Sequence, residues 1–491
     1  MILVMDIGTS SMRGIVFDRS GNVMWKEQRS YELCVLGGGA VEMDLEVLNF
    51  HLSGVLKLAG EWLRDSGAVL DCISVTAQRA SVIPVDTTGK ALQRAMMWQD
   101  TRATSICEEL EERKKQIYRI CGVRLAPAFS APKMKYIKMN SEPIYRAAHK
   151  LIGFQEYVLC YLDGEFTTDH SIASRTCLFN VETLEWSEEL LHIFGIDREK
   201  LCRLIPVGGQ SGMTKPEINR LLQLKESVPV ISAGGDQQCA ALGLGCMENG
   251  QIITNSGTGS YVICVSDVPI FDDEMRISCN VSAIPGKWIL EGAVLSAGKS
   301  VNWLNRQFFA REDERYPIEH FAAACEQSPA GAKGLIFLPA LSGTGTPSWN
   351  PTARGSILNI GLEHNKADFA RSILEGTVLQ LKECIQIISK LTGETYNQIR
   401  SAGGITQNPV YNQIQADIYQ QTIIQASQNE ATAFGAYLSA SVTLGYHRTY
   451  QEAYKQALGN QQERLYEPNK SHEKIYRRLY EQLLRYEEML Y

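Results

Sequence analysis

No Cys-x-x-Cys occurs in this chain, and its thirteen cysteines are scattered, the nearest two being Cys239 and Cys246. Metal knuckles and redox dithiols need tighter clustering, and secreted disulfide frameworks are short and dense, so these are expected to be single thiols in a reducing cytosol. A charge excess is missing too. With a net charge of -7 and a pI near 5.8, the chain has no basic footprint for nucleic acid or anionic membrane. No apolar run approaches the ~18 residues that a spanning helix needs. The opening Met1-Ile2-Leu3-Val4-Met5-Asp6 lacks the charged start of a signal peptide. Low-complexity segments and disordered linkers are absent as well, so the expectation is a cytoplasmic globular protein without nucleic-acid or membrane partners.

What the chain does hold is core material: 44% of its 491 residues are hydrophobic, enough for roughly two to four domains. Near the middle, the β-branched run Val228, Val230, Ile231 leads through Gly234-Gly235 to Asp236-Gln237-Gln238 and a small-residue helix over Cys239 to Gly245. Asp236 thus stands at a strand-to-helix junction, where helix N–H groups face outward and a carboxylate can take the proton of a substrate hydroxyl. Asp is also a common helix cap, and on this segment alone capping is the plainer explanation.

Two stretches echo each other. Met1 to Asp6 reads as a buried strand, Gly8-Thr9-Ser10-Ser11 as a turn of anion-binding size, and Met12 to Asp18 as the return strand. Gln251 to Thr254, Asn255-Ser256-Gly257-Thr258-Gly259-Ser260 and Tyr261 to Val265 repeat that order. Aligned on Gly8-Thr9 and Gly257-Thr258, the flanking strands coincide. Two related domains are therefore expected, residues 1–246 and 247–491, each opening with a phosphate hairpin, with Asp236 beside the cleft between them.

Leu45 to Ser66, Asp368 to Leu391, Pro409 to Gln420 and Glu430 to Leu444 read as helices, as does a C-terminal stripe of Ile475, Leu479, Leu483 and Leu490. Cys72 to Val75 and Ser81 to Pro84 read as strands, and Ala293 to Leu304 as a helix. Gly292 to Ser300 imitates a P-loop but places five residues, Ala293 to Ala297, between its glycines. A P-loop needs four, because loop length sets where the N–H groups point.

In order, Asp6 to Arg13, Trp98 to Arg102, Gly235 to Gln238, Asn255 to Gly259, Glu291-Gly292-Ala293, Gly403-Gly404 with Asn408, and Ala433 to Tyr437 resemble the FGGY family of carbohydrate kinases. That resemblance spans nearly the whole chain. It implies an α/β fold of two ribonuclease H-like, actin-like ATPase domains flanking a deep catalytic cleft, with MgATP held mainly by the second domain and the sugar by the first. Asp236 would be the catalytic base, and Asp6 with Asp236 would serve Mg2+. Thr9, Ser10 and Arg13, then Gly257, Thr258 and Gly259, then Gly298 and Asn302, and Gly404 with Asn408 would contact ATP. Members are often dimers or tetramers, which the resemblance carries over as a homodimer or homotetramer.

For the acceptor, Gln78, Arg79, Trp98, Asp236, Gln237 and Tyr261 fall on substrate-side positions similar to those of glycerol kinases. Two positions depart. A Glu expected after Arg79 is Ala80, and a Tyr expected before Phe129 is Ala128. Losing a carboxylate and a phenol ring removes hydroxyl partners and opens space, which points to a sugar or polyol larger than glycerol. Phe129 to Lys133 also resembles xylulokinases, so a primary hydroxyl of a ketopentose such as xylulose is the expected acceptor, with glycerol as the alternative. An actin- or Hsp70-like ATPase module without sugar kinase activity is the alternative of another class, and Arg79, Trp98 and Asp236 speak against it.

Overall fold

The computed structural model describes residues 1–309, 318–426, 428, 430–459 and 463–491. The first hairpin is β1 (Ile2–Ile7) and β2 (Ser11–Phe17), followed by β3 (Val23–Ser30), helix α1 (Leu45–Ser66), β4 (Cys72–Ala77), β5 (Gln210–Met213), β6 (Pro229–Gly235) and α2 (Asp236–Gly243). The strands form one sheet in the order β5-β6-β4-β1-β2-β3. β1, β4 and β6 run parallel, β2 returns antiparallel to β1, and β3 runs antiparallel to β2. β1 and β4 are buried throughout, the mark of a central strand covered on both faces. α1 has the bounds read from its apolar period, with the Asp44 side chain accepting from Glu46 N–H at its start and Gly67 in the left-handed conformation at its end.

The second sheet is built from β7 (Ile252–Ser256), β8 (Ser260–Ser266), β9 (Ser278–Val281), β10 (Trp288–Val294), β11 (Gln398–Ala402), β12 (Thr422–Gln425) and β13 (Arg464–Tyr466), in the order β9-β10-β8-β7-β11-β12-β13. Its core repeats the first: β7 and β8 form the hairpin, β10 returns antiparallel, and β11 and β12 run parallel to β7. The echo between Gly8-Thr9 and Gly257-Thr258 is thus an echo of topology, and both turns lie at hairpin tips. Around the sheet stand α3 (Ala297–Phe308), α4 (Lys366–Thr392) and α5 (Pro409–Tyr419).

The next helix, α6 (Ala431–Thr443), turns back to the first domain. Phe434, Ala436, Tyr437 and Leu438 share a core with Ile2, Val4, Ile15 and Phe17, and the rings of Phe17 and Tyr437 stack at 5.0 Å. α6 lies directly on α2. A Cβ at Gly435 would come within 1.9 Å of the Cys239 carbonyl, and one at Gly243 within 2.0 Å of the Ala431 carbonyl. Only hydrogen at both crossing points permits that approach. The chain closes with α7 (Glu473–Leu490).

Several expectations shift. The helix expected from Cys239 begins at Asp236 and ends at Gly243, so Asp236 is its first residue and Gly235 takes the cap position. The helix expected from Ala293 begins only at Ala297, because Gly292 and Ala293 still pair with Val262 and Tyr261 in the sheet. The strand expected over Ser81 to Pro84 covers Ile83–Val85. All thirteen cysteines are free and all but Cys34 are buried, in keeping with isolated thiols. Among the described residues, no helix is long and apolar enough to cross a membrane.

Candidate active site

β6 and α2 fix Asp236. Gly234, at φ 115°, bends the strand end, and the side chain of Asp236 accepts from the Gln237 N–H at 2.7 Å. Arg79, two residues past β4, lies beside it with Nε 3.2 Å from the carboxylate. The same guanidinium donates to Gln238 at 3.2 Å and to Glu291 at 3.1 Å. Glu291 comes from β10, in the other domain, and its second oxygen lies 3.4 Å from Arg175. Arg175 in turn covers the Phe129 ring at 4.8 Å and donates to Asn280 at 3.3 Å. Two guanidiniums and two carboxylates therefore meet where the domains touch.

Burial sets the electrostatics of this group. Arg79 and Glu291 are only 8% and 5% exposed, while Asp236 keeps 28%. Burial pushes the Asp236 carboxyl above the usual carboxylate range, and Arg79 opposes it. For Glu291 burial acts in the same sense, but the charges of Arg79 and Arg175 outweigh it and hold the carboxyl below its ordinary value. Arg175 is drawn down to about 10 by burial and by the like charge of Arg79. Tyr261, on β8, is raised by burial and by the Glu291 charge, which places it within the field of this cluster. Gln237 follows Asp236 and carries a buried carbonyl oxygen with no partner among the described residues.

The first hairpin tip adjoins this cluster. Gln78 donates to the Gly8 carbonyl at 3.2 Å and accepts from the Thr9 hydroxyl at 3.3 Å. Thr9 also accepts from the Trp98 indole at 3.1 Å, and Trp98 leaves a half-open ring face on the surface. Thr9, expected on the nucleotide side, is thereby tied to two residues expected on the acceptor side. Ser10 is exposed at the tip, its carbonyl accepting from Tyr31 N–H. Arg13 sits in a paired position: it reaches Asp6 at 2.5 Å and Glu430, just before α6, at 2.6 Å. Burial raises the Asp6 carboxyl to about 6 against the pull of Arg13.

The second hairpin tip presses on the start of α3. Gly298 N–H donates to the Gly257 carbonyl at 3.0 Å, and Lys299 N–H to that of Thr258. A Cβ on Gly298 would fall 2.4 Å from the Gly257 oxygen. Gly259 closes the tip through its carbonyl, which accepts from Gly257 N–H at 2.9 Å. Asn302, one turn beyond Gly298, is exposed. Gly403, at φ 98°, lies against the Ser256 backbone, so it joins this tip to the segment that follows β11, whereas Gly404 faces open space. Asn408 caps α5 by accepting from Val410 N–H. Gly257 and Thr258 thus pack directly on Gly298, and Gly403 packs on the adjoining Ser256.

Two hairpin tips, a carboxylate at a helix start and a repeated sheet are matched across the whole chain by known proteins. The N-terminal domain of the FGGY family of carbohydrate kinases matches residues 1–243, and the C-terminal domain of that family matches residues 253–444. The chain belongs to the FGGY family of carbohydrate kinases. It is 28% identical over 481 residues to a xylulose kinase of Lactococcus lactis, covering 98% of this chain and 95% of that one. It is 31% identical over 487 residues to a glycerol kinase of Francisella philomiragia, covering 96% and 95%. Among solved structures, a gluconate kinase from Lactobacillus acidophilus superimposes with a TM-score of 0.91 at 25% identity, covering 100% of this chain and 98% of that chain. As an FGGY kinase, the protein is an ATP-dependent phosphotransferase, and its two sheets are the two actin-like ATPase domains of the fold.

Sequence reasoning missed Glu291, Arg175, Gln238 and Glu430 as partners of the site. Glu291 stood inside a quoted motif, but a carboxylate that pairs with arginines some hundred or two hundred residues away leaves no local period. Glu430 read only as the start of a helix.

Proposed function

We propose that this FGGY kinase transfers the γ-phosphoryl group of ATP to a primary hydroxyl of a sugar or polyol larger than glycerol, a ketopentose such as xylulose being favoured. The observation that carries this reading is the Arg79–Asp236 pair at 3.2 Å, in a cluster closed by a carboxylate of the opposite domain. A carboxylate kept above its usual range by burial is suited to accept a hydroxyl proton as the oxygen attacks phosphorus. Gln78, Arg79, Trp98, Gln237 and Tyr261 would bind the acceptor. Thr9, Ser10 and Arg13 at one tip, and Gly257, Thr258 and Gly259 at the other, would receive the phosphates. Gly298, Asn302, Gly404 and Asn408 would hold the rest of the nucleotide.

Mg2+ fits the donor set. Asp6 is buried with one oxygen on Arg13 and feels the charge of Asp236, which is itself partly open. Among the described residues no group of three or more His, Cys, Asp or Glu could hold a metal by itself. Mg2+ prefers hard oxygen donors and is commonly held by one or two carboxylates with phosphates and water. When bound, it would neutralise charge on the transferring phosphates. Arg13 would supply further positive charge once its bonds to Asp6 and Glu430 yield.

The size preference rests on Ala80 and Ala128. A small cavity with both polar and apolar walls, among them Gln78, Ser81, Ser130, Met134, Glu156 and Trp186, adjoins Ala80. Relatives named xylulose kinase and gluconate kinase are in keeping with a longer acceptor. Glycerol remains the second reading, favoured by Arg79 and Trp98 and by the relatives named glycerol kinase. The boundary at 246/247 is part of this proposal, as the place where the chain passes into the ATP-side domain before residues 431–458 return. Assembly as a homodimer or homotetramer in the cytoplasm is likewise proposed from the family resemblance. Coupled ADP release with MgATP against glycerol, erythritol, xylulose, ribulose and gluconate tests the acceptor. Turnover on glycerol alone, undiminished by Asp236→Ala, would sink both parts of the reading.

A further inference from the structure

Lys133 is the buried cation that the proposed chemistry leaves unused. It lies on the helix Ser130–Asn140 and is 0% exposed. Its ammonium is met by carbonyl oxygens: Pro127 at 2.7 Å, Ala128 at 2.5 Å, Phe129 at 3.1 Å and Ala80 at 3.3 Å. Three of these belong to the loop that opens its own helix. The fourth is the turn immediately after Arg79.

That fourth bond joins the walls of the acceptor side. Ala80 is held at φ 66°, a left-handed conformation that is unfavourable for a non-glycine residue and persists only where neighbours enforce it. The turn aims Arg79 at Asp236, Gln238 and Glu291. On the other wall, Phe129 carries the guanidinium of Arg175 on its ring at 4.8 Å. Arg79 and Arg175 are the two cations that share Glu291. One ammonium therefore spans the two backbone segments that set how far apart those arginines stand.

We propose that Lys133 is a positioning residue for acceptor specificity, holding the Ala80 turn and the 127–129 loop at the spacing the acceptor pocket requires. Burial draws the Lys133 amine down to about 7 while Asp100 opposes the shift, so placing an amine here carries a desolvation cost that its four carbonyl partners offset. An apolar side chain of the same length would fill the space without that cost. What it would lack is the directional bond to Ala80. The inference rests on the reading of Arg79 as an acceptor-side residue.

Lys133→Met separates positioning from packing, because methionine keeps the length and apolar stem. With whichever of xylulose, ribulose, gluconate or glycerol turns over, the variant is expected to raise the acceptor KM roughly tenfold or more, the size of one charge-assisted hydrogen bond. The KM for MgATP and the slow ADP release without acceptor should stay at wild-type values. Thermal unfolding reports whether the variant folds, and Lys133→Gln carries the same comparison if it does not. Equal rises in both KM values would overturn the inference in favour of a general structural role. So would an unchanged acceptor KM in a folded variant. Arg79→Met run alongside tells the two failures apart. If it raises the acceptor KM and Lys133→Met does not, only the present inference falls; if neither does, the acceptor-side reading falls with it.

Discussion

Arg79 of the first domain and Glu291 of the second face each other with guanidinium nitrogen and carboxylate oxygen 3.1 Å apart, both almost wholly out of water. Removing one partner of such a pair leaves an uncompensated buried charge, and Glu291 has two partners to orphan. Glu291→Ala is expected to destabilise the protein by about 3–5 kcal/mol, read by denaturant unfolding. A loss near zero would mean that water already reaches the pair.

Asp236→Asn keeps the size of the side chain and removes its charge. As the proposed base, Asp236 should account for about 10²- to 10⁴-fold of kcat. The variant should therefore lose at least that factor in kcat, and a rise in the KM for MgATP beside it would report the share of this carboxylate in holding Mg2+. Steady-state kinetics checks it, and a kcat within a few-fold of wild type would remove Asp236 from the chemistry.

Gly298→Ala tests the second hairpin. The added methyl would stand 2.4 Å from the Gly257 carbonyl, and overpacking of this kind costs about 1–3 kcal/mol. Because the displaced atoms belong to the tip proposed for the phosphates, the KM for MgATP should rise while the acceptor KM holds. Equal changes in both would detach this tip from the nucleotide.

A pH effect is expected in the second domain as well. Glu383 on α4 lies in the field of Glu487 on α7. Burial, together with the Glu487 charge, raises Glu383 to about 8, and burial raises Glu487 to about 7 despite the bond from Gln380. Both folded values exceed the ordinary 4.5. As pH rises from that value, the unfolded chain releases its protons while the native state keeps them, so stability falls until the folded values are passed. Glu383→Gln should match wild type in unfolding temperature at about pH 5 and exceed it at about pH 8.5. The opposite order would refute the assignment.

Much of this was legible from residues alone. Leu45–Ser66 carried its own period and caps, the two hairpins carried their glycines, and the Gly234-Gly235-Asp236 junction marked the strand-to-helix turn where the carboxylate sits. The helix start at Asp236 was misplaced because Gln237 and Gln238 are polar at positions that tertiary contacts bury or half-bury. Ala293 was read as helical because small residues suit either state, and its pairing with Tyr261 of β8 decided the matter. Glu291, Arg175 and Lys133 act through partners that only the folded chain brings near.

The return of α6 to the first sheet also bears on how the protein is made. Ile2, Val4, Ile15 and Phe17 leave the ribosome long before Phe434, Ala436 and Tyr437, which cover the face they present. At common rates of synthesis of about 5–20 residues per second, that face waits roughly 10–40 s after the first half has emerged. A nascent chain stalled near residue 246 should hence display an apolar sheet face, and chaperone capture would concentrate in that interval.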